Sequence, residues 1–272
     1  MKEFSTKVAV VTGAGSGIGR ALAVRLATQG ARLALSDVNA VAVASTAALC
    51  EKEGATVRHD VLDVADRAAM NAYAGEVAAE FGTVNLVVNN AGVALTANVA
   101  EMSWDDLDWI VGINFWGVVH GTKAFLPHLI ASGDGHLVNV SSVFGLIAVP
   151  SQSAYNATKF AVRGFTEALR QEMRLDKHPV GVSCVHPGGI KTNIARNARA
   201  ADGLDTDELS ALFDRIARTS PEGAADRILR GVRRNQAKIL VGPDAYVIDV
   251  MARVLGSAYQ RLVTLGARLG PR

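Results

Sequence analysis

The 272-residue sequence predicts an α/β fold, a doubly wound parallel sheet of about seven strands with helices on both faces, built as one domain over residues 1–272. Three observations lead there. Short runs of β-branched and aliphatic residues alternate with longer stretches of helical period. Several of those runs are apolar at every position, as strands covered on both faces must be. A cluster of glycines follows the first run directly, where a strand has to turn tightly into a helix.

The strands are expected at KVAVVT (7–12), ARLALSD (31–37), ATVRHD (55–60), VNLVVNN (84–90), GHLVNVSS (135–142), VGVSCVHP (180–187) and KILVG (238–242). Helices fill the intervals at about 17–29, 40–53, 66–81, 103–131, 153–176 and 221–234, with a C-terminal helical extension over 243–272 that is helical from about 244 to 268. Right-handed crossovers then order the strands into a single sheet. No linker, repeat or block of like charge divides the chain. Residues 189–220 break the alternation with mixed polar residues and a weak helical pattern at Leu209, Leu212, Phe213 and Ile216. Because the segment leaves the carboxyl end of the sixth strand, where such sheets bind ligands, it is expected to be a substrate lid.

Composition narrows the function. The chain is 49% hydrophobic and 20% charged, with 28 basic and 26 acidic residues and a net charge of +2, so it lacks the basic stripe that nucleic acid requires. Cys50 and Cys184 sit in apolar or amphipathic runs and read as buried thiols, which suits a reducing, cytoplasmic setting. The N-terminus carries no signal-peptide pattern, and the longest uncharged stretches are broken by Asn89, Asn90, Asn139 or Pro150, so no transmembrane segment is expected. The six histidines show no metal-ligand spacing, and no serine stands at the centre of a nucleophile elbow. Neither a metal nor a hydrolytic nucleophile is expected.

The glycine cluster reads T-G-A-G-S-G-I-G, with Gly13, Gly15, Gly17 and Gly19. It departs from G-x-G-x-x-G, since Arg20 stands where the third glycine would be. Such a turn lets the backbone approach a pyrophosphate, whose charge meets the amides at the start of the next helix. Asp37 follows Gly19 by 18 residues and closes the second strand, where a carboxylate can bind ribose hydroxyls and repel a 2′-phosphate. No Arg or Lys neighbours Asp37 in sequence, so the expected cofactor is NAD.

Further along, Tyr155 and Lys159 stand four apart, on one face of the helix near Ser153. A phenol is a poor base at neutral pH, but a nearby ammonium lowers its pKa and makes it a proton acceptor suited to an alcohol. Ser141 and Ser142 end the preceding strand on the sheet edge that also carries the glycine turn, placing a hydroxyl for the substrate oxygen.

Taken in order, T-G-A-G-S-G-I-G at 12–19, N-N-A-G at 89–92, Asn114, the serines at 141 and 142, Y-N-A-T-K at 155–159 and P-G at 187–188 resemble the compact short-chain dehydrogenase/reductase family, over roughly Lys7 to Thr192. The resemblance implies a Rossmann-like fold and a catalytic set of Asn114, Ser142, Tyr155 and Lys159. In it Tyr155 is the acid/base, Lys159 lowers its pKa and holds the nicotinamide ribose, and Asn114 holds a water in a proton relay. Ser142, thirteen residues before Tyr155, orients the substrate. The cofactor-binding set it implies is Gly13, Ser16, Gly17, Ile18, Gly19, Asp37, Asp63, Val64, Asn90, Ala91, Gly92, Tyr155, Lys159, Pro187, Gly188, Ile190 and Thr192. Asp63 and Val64 lie near adenine in that scheme, and Thr192 near the carboxamide.

The expected reaction interconverts a secondary alcohol and a ketone, with an apolar substrate suggested by Val143, Phe144, Leu146, Ile147 and Val149 and by Val93, Ala94 and Leu95. The alternatives are an NADPH-dependent 3-oxoacyl thioester reductase and a dinucleotide sensor without turnover. The resemblance also implies a homo-oligomer, a tetramer or dimer, through the helices flanking Ser142. The C-terminal stretch, apolar with Arg253, Arg261 and Arg268, covers the pocket, packs on a subunit or lies on an anionic membrane.

Overall fold

The computed structural model describes residues 1–192, 194, 198–200 and 217–269. Along the chain run β1 (Val8–Thr12), α1 (Gly17–Ala27), β2 (Arg32–Asp37), α2 (Ala40–Lys52), β3 (Val57–Val61), α3 (Arg67–Phe81), β4 (Leu86–Asn89), β5 (Leu95–Thr96) and α4 (Trp104–Val111). A π-helical turn (Gly112–Trp116) leads into α5 (Gly117–Ala131), β6 (Gly135–Val140), α6 (Ser153–Leu175), β7 (Val180–Pro187), β8 (Arg199–Ala200), α7 (Pro221–Arg233), β9 (Lys238–Val241), α8 (Pro243–Leu255) and α9 (Tyr259–Leu269).

Seven strands form one sheet in the order β3-β2-β1-β4-β6-β7-β9, and every pairing is parallel. The order reverses between β1 and β4, so a crevice opens beyond their carboxyl ends. β1, β4 and β6 are buried at every position. One face packs Leu22, Leu26, Val43, Ile228 and Val232 from α1, α2 and α7. The other packs Met70, Val77, Phe125, Leu129 and Leu169 from α3, α5 and α6. This two-sided burial is why the strand runs lack polar alternation.

Helix starts follow local chemistry. Asn39 caps α2 by accepting from the Ala42 amide at 3.0 Å, Asp66 caps α3 through the amides of Ala68 and Ala69, and Ser220 precedes Pro221 and accepts from Gly223 at 3.1 Å. α3 ends at Gly82, whose φ of 74° suits a residue without a β-carbon.

Three expectations need correction. The single helix drawn over 103–131 is interrupted by the π turn around Asn114, because the Asn114 side chain bonds the Val93 backbone and pulls that turn wide. The C-terminal helix breaks at Gly256, with φ of 52°, into α8 and α9. A second sheet pairs β5 with β8, Leu95 opposite Arg199, which no local pattern announced. Of the lid over 189–220, residues 193, 195–197 and 201–216, with the helical pattern at Leu209 to Ile216, lie outside the described residues. The described part comes down on the α4 side: Arg199 pairs with Asp106 at 3.0 Å and stacks on the Trp109 ring at 4.0 Å.

Candidate active site

The glycine turn sits at the switch point between β1 and β4. Gly13 and Gly17 have φ of 63° and 52°, which residues with a β-carbon rarely adopt. A β-carbon on Gly19 would stand 2.2 Å from the Gly13 carbonyl oxygen and 2.6 Å from Asn90 Nδ2. Gly19→Ala therefore opens the turn, and the expected result is a loss of roughly 1–3 kcal/mol in denaturant unfolding, as for other overpacked sites, together with weakened dinucleotide binding by calorimetry. Ser16 precedes α1 in extended conformation, and Ile18 lies in its first turn. Asp37 reaches the turn, its carboxylate accepting from the Gly15 amide at 2.8 Å and the Asn39 amide at 3.0 Å.

At the end of β4, Asn90 donates to the Thr12 and Gly13 carbonyls at 3.0 and 3.2 Å, tying the N-N-A-G segment to the glycine turn. The Thr12 hydroxyl accepts from the amides of Asn90 and Ala91 at 3.0 and 3.1 Å. Asp63 is exposed past β3, one strand beyond Asp37, and Val64 beside it is buried. Pro187 ends β7, and Gly188 allows Asp244 to approach so closely that a β-carbon there would sit 2.0 Å from its carboxylate. The Ile190 side chain packs in the core, so it offers a cofactor only its main chain. Thr192 rests against Gly17, its Cγ2 3.0 Å from where a β-carbon would stand.

The four candidate catalytic residues converge on the same edge. Tyr155 lies in the first turn of α6 and Lys159 in the second, and the Lys159 ammonium lies 5.5 Å from the Tyr155 ring centroid. Both are almost wholly buried. Lys159 Nζ donates to the Val140 carbonyl at 3.2 Å. A β-carbon on Gly92 would lie 3.2 Å from Asn114 Oδ1 and 3.4 Å from Lys159 Nζ, so that glycine is the point where the two side chains meet. Asn114 accepts from the Val93 amide at 2.8 Å and donates to its carbonyl at 2.9 Å. Its side chain thus clamps β4's extension to the π turn.

The two serines divide their work. Ser141 donates to the Lys159 carbonyl at 2.8 Å and is used structurally. The Ser142 hydroxyl accepts from the Phe144 amide at 3.1 Å, which leaves its proton to turn to the Tyr155 oxygen or to a ligand. The Ser142 carbonyl accepts from His186 Nδ1 at 2.9 Å, and burial pushes His186 down to about 4, so the ring is neutral and that nitrogen carries the proton.

Electrostatics correct one expectation. Burial raises the Tyr155 phenol to about 12, and the neighbour that opposes the rise is the Ser142 hydroxyl rather than Lys159. The Lys159 ammonium, 5.5 Å from the ring centroid, is not among the groups that hold the phenol down, and desolvation dominates. The same burial lowers Lys159 to about 8. Cys50 and Cys184 are buried, and desolvation lifts both thiols to about 12, leaving no thiolate nucleophile in either.

Four contributors escaped sequence reasoning. Asn156 donates to the carbonyls of Phe144 and Ile147 at 2.8 and 2.9 Å and accepts from Val149, strapping the segment after Ser142 onto α6. Its place inside Y-N-A-T-K was the available signal. Thr12 and His186 stand inside quoted motifs, but their contacts span the sheet. Arg20, the residue after Gly19, reaches back to the Gly15 carbonyl at 2.5 Å and to Thr46 at 3.0 Å, so a cation lies beside the turn that Asp37 joins, although none adjoins Asp37 in sequence.

Residues 7–203 match the family model described as short chain dehydrogenase. The chain belongs to the short-chain dehydrogenase family. SadH of Mycobacterium tuberculosis, an oxidoreductase by name, is 60% identical over 267 residues, covering 98% of this chain and 97% of that one. The C alpha-dehydrogenase of Sphingobium sp. is 36% identical, over 90% of this chain and 83% of its own. Among solved structures, a Burkholderia phymatum short-chain dehydrogenase/reductase in complex with NAD aligns with a TM-score of 0.88 and 32% identity, covering 95% and 97% of the two chains. This short-chain dehydrogenase is thus an oxidoreductase on the seven-stranded Rossmann-like sheet that its sequence predicts.

Proposed function

We propose that this dehydrogenase interconverts a secondary alcohol and a ketone with NAD(H), on an apolar substrate. The observation that carries the reading is the convergence of Tyr155, Lys159, Ser142 and Asn114 on the sheet edge that also holds the glycine turn and Asp37. The glycine turn offers the close backbone approach that a pyrophosphate needs, and Asp37 offers the ribose its carboxylate. Bound there, a nicotinamide dinucleotide supplies the hydride acceptor or donor.

The chain's own groups do the rest. Ser142 donates to the substrate oxygen and fixes it against the Tyr155 hydroxyl. In reduction Tyr155 gives its proton to the carbonyl oxygen as that oxygen gains charge, and in oxidation it takes the proton from the alcohol as hydride leaves the carbinol carbon. Lys159 steadies the phenolate so formed and reaches the cofactor ribose. Val93, Ala94, Phe144 and Leu95 pack around Tyr155 and exclude water, which favours an apolar substrate; Phe144 meets the Tyr155 ring edge-on at 6.0 Å.

A panel of alcohols and ketones, followed by nicotinamide absorbance with NAD(H) and NADP(H) in parallel, tests the reading. Turnover of apolar secondary alcohols with NAD supports it. Binding of NAD with no turnover across the panel overturns it, and so does activity on 3-oxoacyl thioesters with NADPH alone. Asp37→Ala removes the carboxylate that repels a 2′-phosphate and leaves Arg20 beside the turn. The ratio of kcat/KM for NAD over NADP is expected to fall by about tenfold or more, in line with the loss of one charge-assisted contact.

A further inference from the structure

The C-terminal helices turn an apolar surface outward. On α8, Tyr246, Val247, Val250 and Val254 recur at helical spacing along one side, the three valines 68%, 58% and 75% exposed, while Ala245 and Asp249 face inward. On α9, Leu262 and Leu265 are also more than half exposed. Apolar groups concentrated in this way mark a surface that meets another phase or molecule.

Charge says which. Among the described residues of this segment both acids are turned inward and used: Asp244 accepts from the Gly189 amide at 2.6 Å, and Asp249 is bridged by Lys238 at 2.7 Å and Arg253 at 3.1 Å. The outward charges are Arg253, 66% exposed, and Arg261. Two copies meeting through this face would bring Arg253 and Arg261 of each together with only Asp249 as a carboxylate, and that one is already shared by Lys238 and Arg253. An anionic lipid surface meets both arginines and takes the valines and leucines into its acyl boundary. At 13 and 11 residues, α8 and α9 are each too short to cross the roughly 30 Å of a bilayer core and suit lying along it.

Position supplies the second argument. The inner side of α8 packs Ala245 and Ile248 on Val143, Leu146 and Leu240, directly behind Ser142. The Tyr259 hydroxyl at the start of α9 accepts from the Ala148 amide at 2.8 Å. One layer of helix, α8, therefore separates the exposed stripe from the wall of the candidate site.

We propose that α8 and α9 dock this dehydrogenase onto an anionic lipid surface, with α8 lying between the bilayer and the active-site wall. That an apolar substrate is drawn from the bilayer rests on the reaction proposed above; the lipid contact itself does not, so a failure of either leaves the other standing.

Flotation with phosphatidylcholine vesicles, with and without phosphatidylglycerol, tests the contact at physiological salt. The full chain is expected to float with the anionic vesicles and to stay behind with phosphatidylcholine alone. Val250→Glu with Val254→Glu abolishes flotation without changing circular dichroism or oligomeric state. Arg253→Gln with Arg261→Gln weakens it about 30-fold, the worth of two basic side chains at a charged surface. No flotation, equal flotation with neutral vesicles, or flotation indifferent to the two glutamates overturns the proposal. Dissociation of an oligomer by those glutamates, with no vesicle binding by the parent, would assign the face to a second copy and overturn it too.

Discussion

Tyr155→Phe is expected to lower turnover by about a thousandfold, within the roughly 10²–10⁴ range of general acid–base catalysis, and to leave dinucleotide affinity close to the parent value. The substitution removes one oxygen and keeps the ring that packs edge-on against Phe144, so the apolar cluster around it survives. Calorimetric titration of NAD separates the two readouts, and an equal loss in both would contradict the role given to the phenol. The same residue sets a pH signature. With the phenol raised to about 12 by burial, its oxygen carries a proton at neutral pH, which suits donation to a carbonyl. Oxidation needs the phenolate and should accelerate from neutral toward alkaline pH, whereas reduction should not. Initial rates in both directions across that interval give the answer.

Lys159→Met is expected to make the protein more stable while removing activity. Burial brings Lys159 from 10.5 down to about 8, so below about 8 the folded chain holds in an apolar site a charge that the unfolded chain keeps in water. Between 8 and 10.5 the unfolded state binds more protons, so stability rises with pH across that window and the penalty is gone above it. At about 1.4 kcal/mol per pKa unit the charge costs roughly 3 kcal/mol at neutral pH, an upper bound on the gain from methionine. Urea unfolding of both ligand-free forms should show the methionine variant ahead at neutral pH and the gap closing near 10.5. Tyr155 is present in both chains, so its own alkaline titration does not create the difference. A gap that stays constant with pH would mean that Lys159 is not desolvated as its burial implies.

Both expectations turn on a feature that the sequence states only halfway. The four-residue spacing of Tyr155 and Lys159 puts them on one side of α6, and that much is local geometry. How deeply the two are stripped of water depends on segments far apart in the chain: Val140 and Asn114 reach the lysine from β6 and the π turn, and Gly92 from the end of β4. The pairing pointed to a lowered phenol; the packed environment raises it. Arg20 shows the same limit. In sequence it follows the glycine turn and bears no relation to Asp37, yet in space both side chains bond Gly15, one at its amide and one at its carbonyl.

The β5–β8 pair was illegible for a related reason. Two residues carry no period, and Arg199 finds Leu95 only once residues about a hundred positions apart are brought together by the main sheet. The π turn at Asn114 likewise arises from a contact with Val93, not from the residues of the helix it interrupts.

By itself the sequence determined the main alternation of strands and helices, the parallel sense of the sheet, the glycine turn after its first strand and the spacing of the site's side chains, because each of these follows from a local period or from a turn that few residues can make. Only the tertiary structure decided the proton affinities of Tyr155 and Lys159, the division of labour between Ser141 and Ser142, the strap formed by Asn156 and the outward apolar stripe of α8. Those depend on which groups are stripped of water and by what neighbours, and that is fixed by contacts between segments far apart in the chain.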